Sequence, residues 1–315
     1  MIIDCHHHLL AENWYPKSLL SDLATNIFKP LIKDQLTEEE YKNPAIVYEK
    51  VFHNVFDETG DLLIKNMQEA GIDKTCIFAF DSELTQGIGQ VSINEQNEKI
   101  AAAALKYPDK FIPFYTINPK QNKSVERFKY GLQKLGMKGI KLHPQFGAFS
   151  PSDPICYPIY KTCMEYNVPV IFHTGHLEPI PTSDFAHPFQ IEQAAIDFPE
   201  LPLILAHFSL ASWEDALQLA GKYSNLYFDF SVLFLTYLED PALSYHILRQ
   251  FLDVVGSERV FWGTDNPFFN NIFPTKRWVD LIINPDASAC GDISFSKQEI
   301  DLIMGDAFAK LLNIA

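Results

Sequence analysis

From residue 60 onward the chain alternates between two textures, stretches with helical apolar spacing and short runs that are apolar at nearly every position. Apolar residues at 62, 63 and 67 predict a helix over 60–70, which Gly71 stops. An apolar run at 75–80 follows, then a helix over 91–106, a run at 111–117, a helix over 124–135 and a run at 138–143. The rhythm continues with a helix at 155–166, a run at 168–173, a helix at 189–198, a run at 203–207 and a helix at 212–221. A run at 226–230, a helix at 240–255, a run at 259–265 and closing helices at 274–283 and 296–312 complete it. Continuous apolar runs separated by helices mark parallel strands covered on both faces. With the run that opens the chain they number eight, so the pattern predicts an α/β fold, a (β/α)8 TIM barrel formed as one domain over 1–315. An open doubly wound sheet is the rival, but the chain lacks its Gly-x-Gly-x-x-Gly turn.

One stretch breaks the rhythm. Residues 9–59 carry Trp14, Tyr15, Phe28, Tyr41, Tyr48, Phe52 and Phe56 among acidic and amide residues. Thr37 followed by Glu38, Glu39 and Glu40 predicts a capped helix start. The segment is too long and too aromatic for a connector, so it is expected to be a mostly helical insertion after the first strand, serving as a lid or a subunit contact. His53, alone within it, is expected to be structural.

Composition narrows the partners. A net charge of −15 argues against nucleic acid and against an anionic membrane surface. No apolar run approaches the ~20 residues of a spanning helix, and the N-terminus has no basic segment followed by an apolar one, so a cytoplasmic protein is expected. Cys5, Cys76, Cys156, Cys163 and Cys290 are scattered, odd in number and without Cys-x-x-Cys, which predicts buried thiols rather than disulfides or a zinc knuckle.

Chemistry collects at the predicted strand ends. The first strand runs into His6-His7-His8, and strand alternation aims His6 and His8 the same way, with Asp4 below them and Cys5 and His7 opposed. Two neutral imidazoles at one strand end are half of a zinc site. An affinity tag would run to about six histidines and would not follow a buried-looking strand. Lys141 and His143, His173, His207 and Asp265 end four more runs, and in a barrel all strand C-termini open onto one face.

Five segments in order, Ile-Asp-Cys-His-His-His at 3–8, Gly-Ile-Lys-Leu-His-Pro at 139–144, Ile-Phe-His-Thr-Gly at 171–175, Leu-Ala-His at 205–207 and Phe-Trp-Gly-Thr-Asp-Asn-Pro at 261–267, resemble the motif set of the amidohydrolase superfamily, in its amidohydrolase-related branch of hydrolases and metal-dependent decarboxylases. The resemblance implies that His6, His8, His173 and Asp265 hold one divalent metal, most often zinc, and that a metal-activated water attacks the substrate. It also implies that Asp265 orients that water and moves its proton, and that His207 polarises the substrate carbonyl or completes a metal shell.

Lys141 has two readings. It is a carboxylated bridge to a second zinc that His173 and His207 would also bind, or it is an ammonium that binds an anionic substrate or pairs with Asp265. His143, His176 and Arg277 are expected to meet substrate, and Asp229 to organise its neighbours. The expected activity is hydrolysis of an amide, lactone or ester bond in a small molecule, with a homo-oligomer as the candidate assembly. Decarboxylation of an aromatic or enoic acid is the alternative; it calls for an anion clamp, and of the four arginines Arg127, Arg249, Arg259 and Arg277 only the last follows a strand's C-terminal end. A non-catalytic metal-binding barrel is the reading from outside enzymes.

Overall fold

The computed structural model describes residues 1–176 and 183–314. Among them, parallel strands β1 (Ile3–His8), β2 (Lys74–Phe78) and β3 (Phe111–Pro113) form one ladder. A second ladder runs through β4 (Tyr115–Thr116), β5 (Ile140–Leu142), β6 (Val170–Phe172), β7 (Leu203–Leu205), β8 (Leu226–Asp229) and β9 (Val260–Phe261). Backbone hydrogen bonds stitch both seams between them. Phe114 lies between β3 and β4 and donates to the Ile77 carbonyl at 3.0 Å, while Tyr115 donates to Gly139 at 2.9 Å, so one extended run serves both neighbours. At the other seam Cys5 donates to Trp262 at 3.1 Å, Asp265 to His6 at 2.8 Å and His8 to Asn266 at 2.6 Å. The staves close into the (β/α)8 barrel that the apolar rhythm predicts.

Strand register shows why the runs are continuously apolar. Lys141, Ile171, Ile204 and Tyr227 are partners across successive strands and share the inner face. Their neighbours Ile140, Leu142, Val170, Phe172, Leu203 and Leu205 face outward, fully buried under the helices. Both faces of each strand are therefore removed from water. The helices Asp61–Ala70, Ile93–Lys106 and Pro241–Val255 stand where the spacing predicts; Ser92 and Glu95 form a reciprocal cap, and Gly71 ends the first in the left-handed conformation at φ 74°.

The last helix differs from its prediction. Residues 296–312 are three pieces, Lys297–Asp301, Leu302–Asp306 and Ala307–Leu312, bent at Gly305. A Cβ at Gly305 would lie 2.6 Å from the Met1 carbonyl oxygen and 2.8 Å from the Ile3 nitrogen, so a glycine lets the chain pass under β1. The bend brings Phe308 against Phe114 and Phe261, with ring centroids at 6.4 and 5.2 Å, across the N-terminal end of the barrel.

The segment 9–59 is helical in short pieces, among them Lys17–Asp22, a π-helical turn Leu23–Phe28, Glu38–Tyr41 and Pro44–Val51. Thr37 and Glu40 cap each other reciprocally, as the sequence predicts. Leu19, Leu20, Leu23, Phe28, Val47 and Val51 are buried in the same apolar cluster as the barrel's outer layer. All five cysteines are buried and free. Among the described residues no helix is long and apolar enough to cross a membrane.

Candidate active site

Simple alternation does not survive in β1. Its pairing with β2 shifts register between Asp4 and His7, an irregularity that resets which face each side chain takes. Cys5 therefore joins Ile3 in the inner apolar cluster, and Asp4 is not beneath the histidines. Instead Asp4 Oδ1 accepts from the His6 and Thr264 amides at 3.1 and 3.0 Å, and its Oδ2 accepts from the Thr264 hydroxyl at 2.6 Å, tying β1 to the end of β9. His6 and His8 still converge, with ring centroids 5.5 Å apart, while His7 turns toward Asp4 at 3.6 Å. Gly263 allows the close contact; a Cβ there would sit 2.9 Å from the His6 Cβ.

Asp265 completes the convergence. Its Oδ1 lies 3.3 Å from His6 Nε2 and 3.2 Å from His8 Nε2. Asp265 is left-handed at φ 56°, a conformation that aspartate tolerates better than most residues. His6 Nε2 is also 2.9 Å from Lys141 Nζ, and its Nδ1 is 2.9 Å from Asp229 Oδ2. His173 sits among them, stacked on His143 at 4.1 Å and 5.1 Å from His207. Its ring also bonds the backbone at Gly175. Its Nε2 is buried without any partner, as is His8 Nδ1.

His207 reaches the group by an unusual path. His207, Phe208 and Ser209 are all left-handed, at φ 62°, 47° and 63°, a run that costs on the order of 1 kcal/mol per residue. Specific contacts hold it. Phe208 stacks on Phe251 at 3.8 Å, Ser209 donates to the Thr174 hydroxyl at 3.0 Å, and the His207 amide donates to Asp229 Oδ1 at 3.0 Å. His207 Nδ1 is then paired with the Ser231 hydroxyl at 2.8 Å, which in turn bonds Asp229. Asp229 thus links β1, the end of β7 and its own strand end.

Burial sets the electrostatics. The pKa values of His6, His8, His173 and His207 are held well below the ordinary imidazole value, first by loss of water and then by neighbouring positive groups such as Lys141. His143 is lowered by burial and by His173. Burial also lowers Lys141, against the pull of Asp229 and Asp265, and raises Asp265 against the pull of Lys141. Neutral imidazoles, a half-buried carboxyl and an unpartnered ring nitrogen are the state that a divalent cation completes. Two triads bring donor atoms within 4.8 Å of one another, His6/His8/Asp265 and His6/His207/Asp229.

A cavity of about 60 Å³ opens above the group. His8, His143, His173 and Asp265 form its floor, and the rest of the lining is apolar, including Phe28 and Ile27 from the segment 9–59. A larger open cleft of about 740 Å³ beside Arg259 and Lys310 contains none of the strand-end histidines. Lys141, His143, His173, His207 and Asp265 are therefore brought together with His6 and His8. Arg277 is not; it is exposed on the helix Thr275–Ile283, its guanidinium over Phe273 at 4.8 Å. His176 is half-buried, 6.2 Å from His187, and is not part of the cavity lining. His53 is exposed and pairs with Asn54.

Sequence reasoning missed Ser231 and Thr264, the hydroxyls that fix His207 and Asp4, although each stands within two residues of a predicted strand-end acid. Phe80 and Phe146 in the lining also carry no local signal, because nothing near them in the sequence distinguishes them from core.

A sequence model described as amidohydrolase matches residues 3–314. The protein fluG of Emericella nidulans is 32% identical over 107 residues, which is 34% of this chain and 12% of that protein. The chain thus spans a small part of the curated relative it matches. The structure of a 5-carboxyvanillate decarboxylase from Novosphingobium aromaticivorans, complexed with manganese and a nitrobenzoic acid, is similar at TM-score 0.66 and 15% identity, covering 100% of this chain and 96% of that one. A probable 2-pyrone-4,6-dicarboxylic acid hydrolase from Acinetobacter baumannii, with citric acid bound, is similar at TM-score 0.62 and 14% identity, covering 99% of both chains.

Proposed function

This chain belongs to the amidohydrolase family, and from that premise we propose that it is a metal-dependent hydrolase of an amide, lactone or ester bond in a small molecule. One observation carries the reading: His6, His8 and Asp265 present their donor atoms to one point, beside a His173 nitrogen that is buried and unpaired. An unsatisfied buried nitrogen next to neutral imidazoles and a carboxyl fits a divalent cation, and nitrogen with carboxylate oxygen suits zinc. His6, His8, His173 and Asp265 would hold it. The ion supplies Lewis acidity, polarising a carbonyl and making water acidic near neutral pH.

The chain's own groups do the rest. Asp265 takes the proton of the attacking water on its carboxylate and returns it to the leaving nitrogen or oxygen. His207, its Nδ1 engaged by Ser231, offers its other nitrogen to the developing negative charge on the carbonyl oxygen. Asp229 fixes the His6 ring through Nδ1 and so determines which nitrogen faces the centre. Lys141 decides between one metal and two: burial favours its neutral amine, the form that reacts with carbon dioxide, and a carboxylated Lys141 would bring a second ion with His173 and His207.

Decarboxylation is the second reading, favoured by the likeness to a manganese-containing decarboxylase and by a phenyl-lined cavity. No guanidinium lines the cavity among the described residues, which argues against it. Purified full-length protein, analysed for metal per chain and then given lactones, amides, esters and aromatic acids, separates the two. Cleavage or ring opening with one equivalent of metal is expected. Release of carbon dioxide as the sole product would overturn the hydrolase assignment.

A further inference from the structure

The cavity above the candidate site has an unusual division of labour. Among the described residues every protic group that lines it belongs to the floor, and the walls and roof are Leu23, Ile27, Phe28, Phe80, Phe146 and the Phe268–Phe269 pair. Resting on the hydrolase reading, we propose that the substrate carries an uncharged, flat apolar group, a benzene-like ring, bound away from the scissile bond between Phe80 and Phe146 on the barrel side and Phe28 and Phe268 on the insertion side.

The cations of the molecule exclude an acidic group at that end. Arg127 bonds Gln121, Arg249 pairs with Asp253 and Glu299, Arg259 donates to backbone carbonyls at Tyr223, Leu226 and Val255, and Arg277 lies over Phe273. No lysine or arginine lines the cavity among the described residues, and 177–182 contain none in their sequence. Lys141 is beneath the floor, 2.9 Å from His6. A carboxylate lodged among the phenyl rings would lose water and gain no partner, which no binding contact there offsets.

Ring geometry favours a flat guest. Phe28 and Phe268 stack at 5.6 Å with planes 11° apart, and Phe80 and Phe146 stack at 5.4 Å with planes 22° apart. Phe80 and Phe268 join the two pairs at 6.1 Å. Local structure gathers the insertion's share. In an α-helix, residues five apart would stand about 140° apart around the axis, but the i→i+5 bonded turn Leu23–Phe28 is wound more loosely and brings Leu23, Ile27 and Phe28 closer to one face. The cavity of about 60 Å³ is smaller than the roughly 150 Å³ void that holds benzene, so the Phe28 and Phe268 rings part when the guest enters.

Binding, rather than turnover, tests this. The full-length, zinc-loaded protein is titrated calorimetrically with benzamide, with the same ring bearing a para carboxylate (4-carbamoylbenzoate) and with acetamide. Benzamide is expected to bind at least about tenfold more tightly than either of the others, the range for one added apolar group in a fitted pocket. Phe28→Ala removes most of the preference over acetamide. Ile27→Arg, at a half-buried position that tolerates a long side chain, reverses the preference toward 4-carbamoylbenzoate, and it carries the test should Phe28→Ala fail to fold. Equal affinity for the three probes, or binding of none, overturns the proposal. The hydrolase reading fails separately, if the benzamide preference holds while neutral aryl esters, lactones and amides are all left uncleaved.

Discussion

The two ends of the barrel are built from the same strands and obey opposite rules. At the N-terminal end Cys76, Ile112, Ile171, Ile204 and Phe261 close the interior with Phe308, and all are nearly or fully buried. A few residues further along the strands, at the C-terminal end, the inner face changes to Lys141, His173, Asp229 and Asp265. The lower end uses relaxed strands and apolar contacts. The upper end concentrates the costs, with left-handed residues at 207–209 and 265 and unpaired ring nitrogens. Such liabilities persist where the surroundings over-determine them, and the apolar lower half is what allows the upper half to be polar and strained.

That contrast can be broken from either side. The largest effect is expected from stripping the metal with a chelator: turnover disappears and returns on adding zinc, and the melting temperature falls because an ion that binds only the folded state is lost. Asp265→Asn comes next, lowering kcat/KM by about 10³-fold, within the span for a general acid–base group, while the circular dichroism spectrum is unchanged. Phe308→Ala inverts the outcome. Urea unfolding should show a loss of about 3–5 kcal/mol for this fully buried ring, with kcat/KM of the folded fraction intact. A matching loss of activity would mean that the two ends are not separable.

Acidity sharpens the comparison because the buried histidines stand at the upper end. In the metal-free protein the buried histidines bind protons less readily than they do in the unfolded chain. Their contribution is present above about pH 6.5 and is lost below it, by up to about 1.4 kcal/mol per histidine per pH unit. Asp265 has the opposite sign. Burial raises it, so its contribution is lost as pH climbs from about 4 to about 8, and metal-free Asp265→Asn should exceed the parent most near pH 8, the gap closing toward pH 4. A urea-derived stability that is flat from pH 7 to 5 would contradict the buried, neutral imidazoles. The smallest effect is expected from Ser231→Ala, which frees His207 Nδ1 and should lower kcat about tenfold with metal content unchanged.

Much of this is legible in the amino-acid sequence. Strands 140–142, 170–172 and 203–205 announce themselves because both faces are buried, and the polar residue that ends each run marks the point where the interior stops being dry. The insertion's Thr37 cap was equally local. Other features had no local signal. The irregularity between Asp4 and His7 arises from pairing with β2 and from Thr264, 260 residues away, so alternation alone put Asp4 under the histidines and Cys5 on the wrong face. The helix over 296–312 is periodic as written and breaks only because β1 crosses Gly305. Arg277 follows a strand's C-terminal end in sequence, yet its helix turns it outward over Phe273.

The sequence by itself determined the barrel and the identity of the groups at its mouth, because apolar periodicity and residue type are properties of neighbours along the chain. Tertiary structure alone decided which atoms meet: His6 against Asp229 and Lys141, His8 against Asp265, and Phe28 over the floor. Those contacts join residues up to 257 positions apart, and their geometry depends on register, backbone hand and packing, which are fixed only when the cylinder closes.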